Sequence, residues 1–359
     1  MRNKSLPTYK YSFFAAANGY SGFRSYFDKI FIPQDFNAIY ILKGGPGTGK
    51  SSFMKRILTE FDPFMEESEA IHCSSDPASL DGIIISKGGV RIAVIDGTAP
   101  HAKDPAFPGA IDKIINLGEN WDDEILAKQR EKIISLSNTK SQAYRRAYEY
   151  LHIAGEITKI ARKSLAECCM HDMSATINSV LSEAKKESHR KKIRLVTAYC
   201  KDGFVMLDTI KRIAGKAYSI SGMYGSEYLF MRRLTETLDL IGTNYTLFPS
   251  ALDGNDTDAV FIPMLDLAVV TEGFCGISRE DTIDTSAFID QDKLAGEKSF
   301  LESLWSEREE MLWGAADQFR SACDAHLALE RIYTAAMDFS KNDDVYLRCL
   351  SDIKKRLNL

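Results

Sequence analysis

Residues 38–58 read AIYILKGGPGTGKSSFMKRIL. The first five residues are an apolar run of the kind that forms a strand buried on both faces. Residues 44–51 then match the pattern G-x-x-x-x-G-K-[ST], and the residues after them have the apolar spacing of an amphipathic helix. A strand, a glycine-rich loop and a helix in this order are the context that a P-loop requires. This stretch therefore predicts a nucleotide-binding α/β fold.

The residue types in the loop suit polyphosphate. Small residues let phosphate approach the main chain, and successive N–H groups at a helix start form an anion-binding nest. Lys50 is expected to reach the β- and γ-phosphates, and the Ser51 hydroxyl is expected to ligate Mg²⁺. The predicted nucleotide-binding residues are Gly44, Gly45, Pro46, Gly47, Thr48, Gly49, Lys50, Ser51 and Ser52.

A second predicted strand, VRIAVID at residues 90–96, ends in a carboxylate. Asp96 is expected to hold Mg²⁺ through its water shell, as a Walker-B acid does, although an acid that only begins a turn is the alternative. Gly97 follows it, where many ATPases carry a glutamate that polarises the attacking water. The sequence therefore predicts either a base elsewhere or slow hydrolysis.

Residues 70–72 predict a further strand that leads into a polar loop containing Asp76. Ligands of open α/β sheets bind at the carboxyl ends of strands, so Asp76 is a candidate catalytic residue beside Lys50 and Asp96. Asp81, Thr98 and His101 are weaker candidates at the same edge. These residue types also favour turns, so a purely structural role is the alternative for each.

A second copy of the strand–loop–helix stretch begins at residue 216 and reads KAYSISGMYGSEYLFMRRL. With one residue deleted, Gly222 and Gly225 align with Gly44 and Gly47. The lysine and serine positions then fall on Glu227 and Tyr228 or their neighbours. A carboxylate repels polyphosphate and a tyrosine fills the nest, so the second loop is predicted not to bind Mg-ATP in the usual way.

Further matches extend the repeat over about 80 residues, which indicates a duplication. They align Gly22-Phe23 with Gly203-Phe204, Asp28 with Asp208, residues 80–85 with 257–262, and residues 92–97 with 267–272 ahead of Gly273. Amphipathic helices are predicted after each α/β part. The predicted fold is thus a pair of P-loop NTPase-type modules with mainly parallel sheets and helical appendages, over residues 1–185 and 186–359.

The bulk composition of the 359 residues is that of a globular protein, with 45% hydrophobic and 26% charged residues. The net charge of −5 gives no general basic field, so nucleic acid is an unlikely partner in spite of a basic run at residues 185–194. No apolar run reaches the length that spans a membrane. The seven cysteines show no C-x-x-C spacing, which favours reduced thiols and a cytoplasmic location.

The run KGGPGTGKSSFMKRI, followed by HCSSDPASLDG and IAVIDGTAPH, resembles a family of bacterial proteins described as predicted P-loop ATPases with two tandem nucleotide-binding modules. The resemblance implies that residues 44–51 bind nucleotide, that Asp96 belongs to the same site, and that the nucleotide is ATP. It also implies that the second module can carry its own P-loop. This sequence departs from that pattern, because no lysine follows Gly225.

Three functions agree with the sequence. The first is an ATPase with one competent and one degenerate site. The second is a small-molecule kinase, in which Asp76 or Asp81 receives the acceptor's proton and a helical lid carries Arg130, Arg145, Arg146 and Arg162. The third is a nucleotide-dependent switch or scaffold that reports to an unidentified protein partner.

Overall fold

The computed structural model of the protein describes residues 9–168, 171–271 and 282–359. The chain forms two compact units. The first unit comprises the chain up to Ala16 with Ser25–Arg145 and Gln318–Leu359, and the second comprises Ala17–Arg24 and Arg146–Asp317. The units do not follow the predicted division at residue 185, because each takes its sheet from one half of the chain and some helical residues from the other half.

The secondary structure is as follows. The strands of the first half are β1 (Tyr11–Phe14), β2 (Ala16–Gly19), β3 (Gly22–Ser25), β4 (Ala38–Lys43), β5 (Glu67–His72), β6 (Leu80–Lys87), β7 (Val90–Asp96) and β8 (Asp112–Asn116). Its α-helices are α1 (Phe27–Ile30), α2 (Lys50–Phe61), α3 (Asp123–Lys128), α4 (Arg130–Glu167) and α5 (Ser174–Val180). The strands of the second half are β9 (Lys191–Ile193), β10 (Thr197–Cys200), β11 (Gly203–Met206), β12 (Lys216–Ser221), β13 (Tyr245–Pro249), β14 (Thr257–Ile262), β15 (Leu267–Thr271) and β16 (Thr282–Asp284). Its α-helices are α6 (Thr209–Ile213), α7 (Ser226–Ile241), α8 (Gln291–Ala335) and α9 (Phe339–Arg356). Within the described ranges, every helix is too short or too polar to cross a bilayer.

Each half builds a six-stranded sheet, and the two sheets have the same strand order. The orders are β1-β5-β6-β7-β4-β8 and β9-β13-β14-β15-β12-β16. Strand β6 is antiparallel to both of its neighbours, and so is β14, whereas all other neighbouring strands are parallel. The predicted α/β class, with mainly parallel sheets that are each followed by helices, is confirmed.

Local irregularities repeat between the halves as well. Gly22 and Gly203 adopt positive φ at the starts of β3 and β11, the second strands of two matching hairpins. A register shift lies between Ile71 and His72 at the end of β5, and another lies between Phe248 and Pro249 at the end of β13. Glu272 and Gly273, the expected counterparts of residues after Asp96, lie outside the described residues.

The core of the first unit holds the strand–loop–helix stretch in place. Helix α2 buries Phe53, Met54, Ile57, Leu58 and Phe61, which share one apolar cluster with Tyr40 and Leu42 of β4 and with residues of α9. Each such side chain contributes about 1.5–3 kcal/mol on full burial. The loop between β4 and α2 is therefore fixed at both ends by buried elements.

Candidate functional site

The first glycine loop (residues 44–49) connects β4 to α2. Gly49 precedes the helix with φ 86° and ψ 14°, and Gly47 has φ 71°. A Cβ atom at position 47 would lie 2.6 Å from the carbonyl oxygen of Glu330. Position 47 therefore requires glycine for two reasons. L side chains avoid positive φ, and the neighbouring backbone leaves no room for a Cβ atom.

Lys50 begins α2, and its side chain reaches back over the first glycine loop. Its Nζ donates hydrogen bonds to the carbonyl oxygens of Gly44 at 2.8 Å and Gly45 at 2.9 Å. The same Nζ lies 3.6 Å from Oδ2 of Asp96, and only 11% of the Lys50 side chain is exposed. The ammonium group is thus held at the mouth of the loop.

Asp96 ends β7, which pairs with β4 in parallel so that Asp96 lies opposite Leu42. The prediction that this acid ends a neighbouring strand is correct. Thr98 donates its N–H and its hydroxyl to Oδ1 of Asp96, at 2.9 and 2.6 Å. Burial raises the pKa of Asp96, and the charge of Asp81 adds to this rise, while Lys50 and Thr98 oppose it.

The other predicted loop residues differ in what they contact. Oγ of Ser51 accepts a hydrogen bond from the N–H of Leu80 at 2.9 Å. A hydroxyl oxygen has a second lone pair, so this contact leaves Ser51 able to bind a metal. The buried Thr48 hydroxyl donates to the carbonyl oxygen of Gly45 at 2.9 Å. Pro46 is half-buried in the loop, whereas Ser52 is exposed on α2.

Asp76 lies in the turn after β5, at the same sheet edge as the first glycine loop. Its carbonyl oxygen accepts a hydrogen bond from the N–H of Ser79 at 2.8 Å, which closes the turn. Its half-buried carboxylate acts electrostatically on Glu330, on which Lys50 acts as well. Asp76 therefore closes this turn through its main chain, and a catalytic role for its side chain stays a prediction.

A buried acid–histidine pair lies at the same edge. Nε2 of His101 is 3.1 Å from Oδ2 of Asp81, and both side chains are at most 10% exposed. The His101 ring stacks on Phe27 with 4.3 Å between ring centroids. Because Asp81 also affects the pKa of Asp96, the three side chains form one electrostatic group.

Residues of α8 and α9 contact the first glycine loop, and no pattern in the sequence predicts these contacts. The Thr334 hydroxyl donates to the carbonyl oxygen of Gly47 at 3.4 Å, and Nδ2 of Asn342 donates to that of Thr48 at 2.9 Å. Rings of Trp121 and Tyr333 pack where a Cβ on Gly45 would lie. These residues carry no motif, and only the folded chain brings them to the loop.

The second glycine loop (residues 222–225) connects β12 to α7. Gly225 precedes the helix with φ 90° and ψ 13°, nearly the values of Gly49. Gly225 thus occupies the place of Gly49, and its predicted alignment with Gly47 is wrong. The buried Phe230 follows Gly225 by five residues, whereas Phe53 follows Gly49 by four. The second loop is also shorter than the first by two residues, so matching the two phenylalanines misaligns the glycines.

The residues after Gly225 differ from those of the first site. Ser226 stands where Lys50 begins α2, and its buried Oγ accepts a hydrogen bond from the N–H of Met223 at 3.0 Å. Glu227 folds back over the second glycine loop, because its Oε2 lies 2.5 Å from where a Cβ of Gly222 would be. Burial raises the pKa of Glu227. A carboxylate therefore lies against this loop, as its sequence predicts.

An arginine of α4, which belongs to the first half of the chain, forms a buried ion pair in the second unit. Arg162 forms a two-pronged ion pair with Asp256, at 2.9 and 2.6 Å, and its guanidinium lies 4.8 Å from the centre of the Tyr228 ring. The side chains are 14% and 4% exposed. Arg162 is therefore engaged at the second glycine loop, which corrects its expected place in a lid over the first.

Asp258 is the counterpart of Asp81 in the second sheet. It accepts hydrogen bonds from the Thr197 hydroxyl at 2.5 Å and the Tyr228 hydroxyl at 3.3 Å. Burial raises the pKa of Asp258 to about 6, although these hydrogen bonds oppose the rise. The second unit thus holds a buried carboxyl group whose pKa lies well above its ordinary value of 3.8.

The oxygen donors of the first site fit Mg²⁺. This ion is usually bound by one or two carboxylates together with substrate phosphates, and Ser51 and Asp96 supply a hydroxyl and a carboxylate. In the described part of the chain, no three His, Cys, Asp or Glu side chains come together as a metal cluster. No family model, curated protein or solved structure matches this chain.

Proposed function

We propose that the first unit binds Mg-ATP at the first glycine loop and hydrolyses its terminal phosphate bond. The observation that supports this most strongly is the placement of Lys50 between the loop carbonyl groups and Asp96, at the shared edge of β4 and β7. Three groups that can bind a phosphate–metal complex lie there: an ammonium group and a helix N-terminus for the phosphates, and a carboxylate for the metal.

Each residue has a distinct role in this proposal. The main chain of the first glycine loop and the first turn of α2 bind phosphate oxygens, and Lys50 moves its hydrogen bonds from carbonyl groups to the phosphates. Ser51 and Asp96 hold Mg²⁺, which neutralises charge on the phosphates when it is bound. The raised pKa of Asp96 makes this site sensitive to acid, because only the carboxylate form is a good ligand.

The group that activates the attacking water does not directly follow Asp96 in the sequence. Gly97 offers no side chain after Asp96, so the base must come from another residue. We infer that Asp81 and His101 act as this base, since they lie 3.1 Å apart at the same edge and Asp81 interacts electrostatically with Asp96. A histidine oriented by a carboxylate is a common proton acceptor.

Phosphate release from Mg-ATP tests the proposal. We expect Lys50→Met and Asp96→Asn each to lower the turnover of the purified protein at least 100-fold, since single groups that stabilise transition-state charge have effects of this size. Lys132→Met, which removes an exposed lysine of α4, is the matched control and should retain turnover. His101→Asn tests the proposed base separately.

Direct ATP-binding measurements on the same variants separate the remaining functions. Lys50-dependent ATP binding without phosphate release would reject the ATPase and favour the kinase or the switch. A wild-type protein that does not bind ATP would reject all three. Phosphate release that survives in both Lys50→Met and Asp96→Asn would show that the activity belongs elsewhere.

A further inference from the structure

The second unit contains a cavity of about 330 Å³ beside the second glycine loop. Its wall is formed by the end of α4, the β10–β11 hairpin, the turn before β14, the start of α7 and the middle of α8. This cavity has no role in the function proposed above. Its lining combines aromatic rings with charged side chains of both signs, so the balance of those charges decides which ligand fits.

The cationic side chains of the lining are already neutralised. Arg162 pairs with Asp256 through two hydrogen bonds. Nζ of Lys159 lies 2.7 Å from Oε1 of Glu156, and Arg308 pairs with Glu309. Because each cation has a carboxylate partner, an anion entering the cavity would have to displace a carboxylate of the protein itself.

Further hydrogen bonds fix two of these cations. Nε of Arg308 donates to the Thr158 hydroxyl at 3.0 Å, and its guanidinium lies 4.6 Å from the centre of the Trp305 ring. Nε of Arg162 is buried without an acceptor, but the other two guanidinium nitrogens both bind Asp256, so the charge of Arg162 is already paired. Neither arginine presents an unused charge to a ligand.

Two carboxylates of the lining have the opposite property. Glu227 and Asp253 form no ion pair within the described residues, and Oε2 of Glu227 is buried without a hydrogen-bond donor. Arg162 and Arg308 act on Glu227 only at longer range, and burial still raises its pKa. A desolvated carboxylate in this state gains from a nearby positive charge.

Aromatic surface completes the cavity. Phe204 on β11 and Trp313 on α8 line it while 51% and 65% of their surfaces remain exposed, which is unusual for side chains of this size. The faces of aromatic rings attract cations and also pack against flat apolar groups. The attraction of the ring faces for cations favours the same kind of ligand as the unpaired carboxylates do, and their apolar surface favours a flat apolar group on it.

We propose that this cavity is a binding site for a small organic cation with a flat apolar body, such as an aryl amidine or aryl amine. The cationic group lies toward Glu227 and Asp253, and the apolar body packs against Trp313 and Phe204. Phosphorylated ligands are excluded by the same carboxylates. The degenerate loop has thus exchanged an anion site for a cation site.

Isothermal titration of the full chain with benzamidine, benzamide and benzoate tests this, because the three share one ring and differ in charge. We expect benzamidine to bind with millimolar affinity, and benzamide and benzoate to bind at least tenfold more weakly. Glu227→Gln and Trp313→Ala should each weaken benzamidine binding about tenfold. Glu310→Gln, an exposed glutamate of α8, and Lys50→Met in the first unit should leave it unchanged.

Three results would overturn the proposal. The first is benzamide or benzoate binding as tightly as benzamidine, which would indicate a neutral or anionic ligand. The second is benzamidine binding that neither Glu227→Gln nor Trp313→Ala weakens. The third is a protein that circular dichroism shows to be folded but that does not bind benzamidine at concentrations up to about 20 mM.

Discussion

Replacing Arg162 by methionine removes one partner of the buried ion pair in the second unit. Asp256 then keeps a side chain that is only 4% exposed but loses the cation that contacts both of its oxygens. Removing one member of a buried pair costs about 3–5 kcal/mol, because the remaining charge is neither solvated nor paired. For a unit of this size, that loss lowers the melting temperature by roughly 6–20 °C.

The pH dependence of this loss has a definite sign. Burial raises the pKa of Asp256 above its ordinary value of 3.8 even beside Arg162, and removal of the arginine raises it further. The folded state then binds the proton more tightly than the unfolded state does, so acid favours folding at this residue. The destabilisation should be greatest at pH 7 and should shrink as the pH falls toward the raised pKa.

Tryptophan fluorescence during urea unfolding measures the effect. Trp121 belongs to the first unit, whereas Trp305 and Trp313 belong to the second, so a Trp121→Phe background reports the second unit alone. In the cycle of Arg162→Met, Asp256→Asn and the double variant, we expect a coupling of at least about 1 kcal/mol. A loss below about 1 kcal/mol for Arg162→Met at pH 7, or a loss that does not diminish in acid, would refute this reasoning.

Two further predictions concern single positions. Gly47→Ala should destabilise the first unit by about 2–4 kcal/mol in thermal melting, because it combines positive φ with a contact of 2.6 Å to a carbonyl oxygen. Gly88→Ala is the control, because Gly88 also has positive φ (57°) but an added Cβ would meet no other atom. It should destabilise the unit by at least about 1 kcal/mol less than Gly47→Ala, and equal losses would contradict the argument. Asp258 has a pKa raised from 3.8 to about 6, so the stability of the second unit should fall by about 2 kcal/mol as the pH rises from 4 to 6. Asp258→Asn should flatten this fall, and an unchanged pH profile would show that another group is responsible.

The strands and the glycine loop around Lys50 were predictable because their signals are local. The run before Gly44 and the run ending at Asp96 each specify a buried strand, and the repeat carries the same signals into the second half. One error arose where local matching was ambiguous. Spacing alone aligns Gly225 with Gly47, but the left-handed conformation of Gly225 before α7 corresponds to that of Gly49.

The contacts between the halves of the sequence were not predictable. Arg162 lies in a helix of the first half and pairs with Asp256 of the second, and Asn342 donates to Thr48 across 294 residues. Such contacts depend on how long helices return to the sheets, which hydrophobic periodicity does not specify. The charge balance of the cavity in the second unit has the same origin, since Arg162 and Glu227 are 65 positions apart in the sequence and meet only in the fold.

The hydrogen bond from Asn342 to Thr48 has a consequence for synthesis on the ribosome. Thr48 is translated 294 residues before Asn342, and at about 5–20 residues per second this interval lasts roughly 15–60 s. During this interval the nascent chain contains the entire glycine-rich motif but lacks Asn342, which donates a hydrogen bond to it. The loop acquires its full set of contacts only after Asn342 has been synthesised, so a chain that stops before this residue carries the motif without this hydrogen bond.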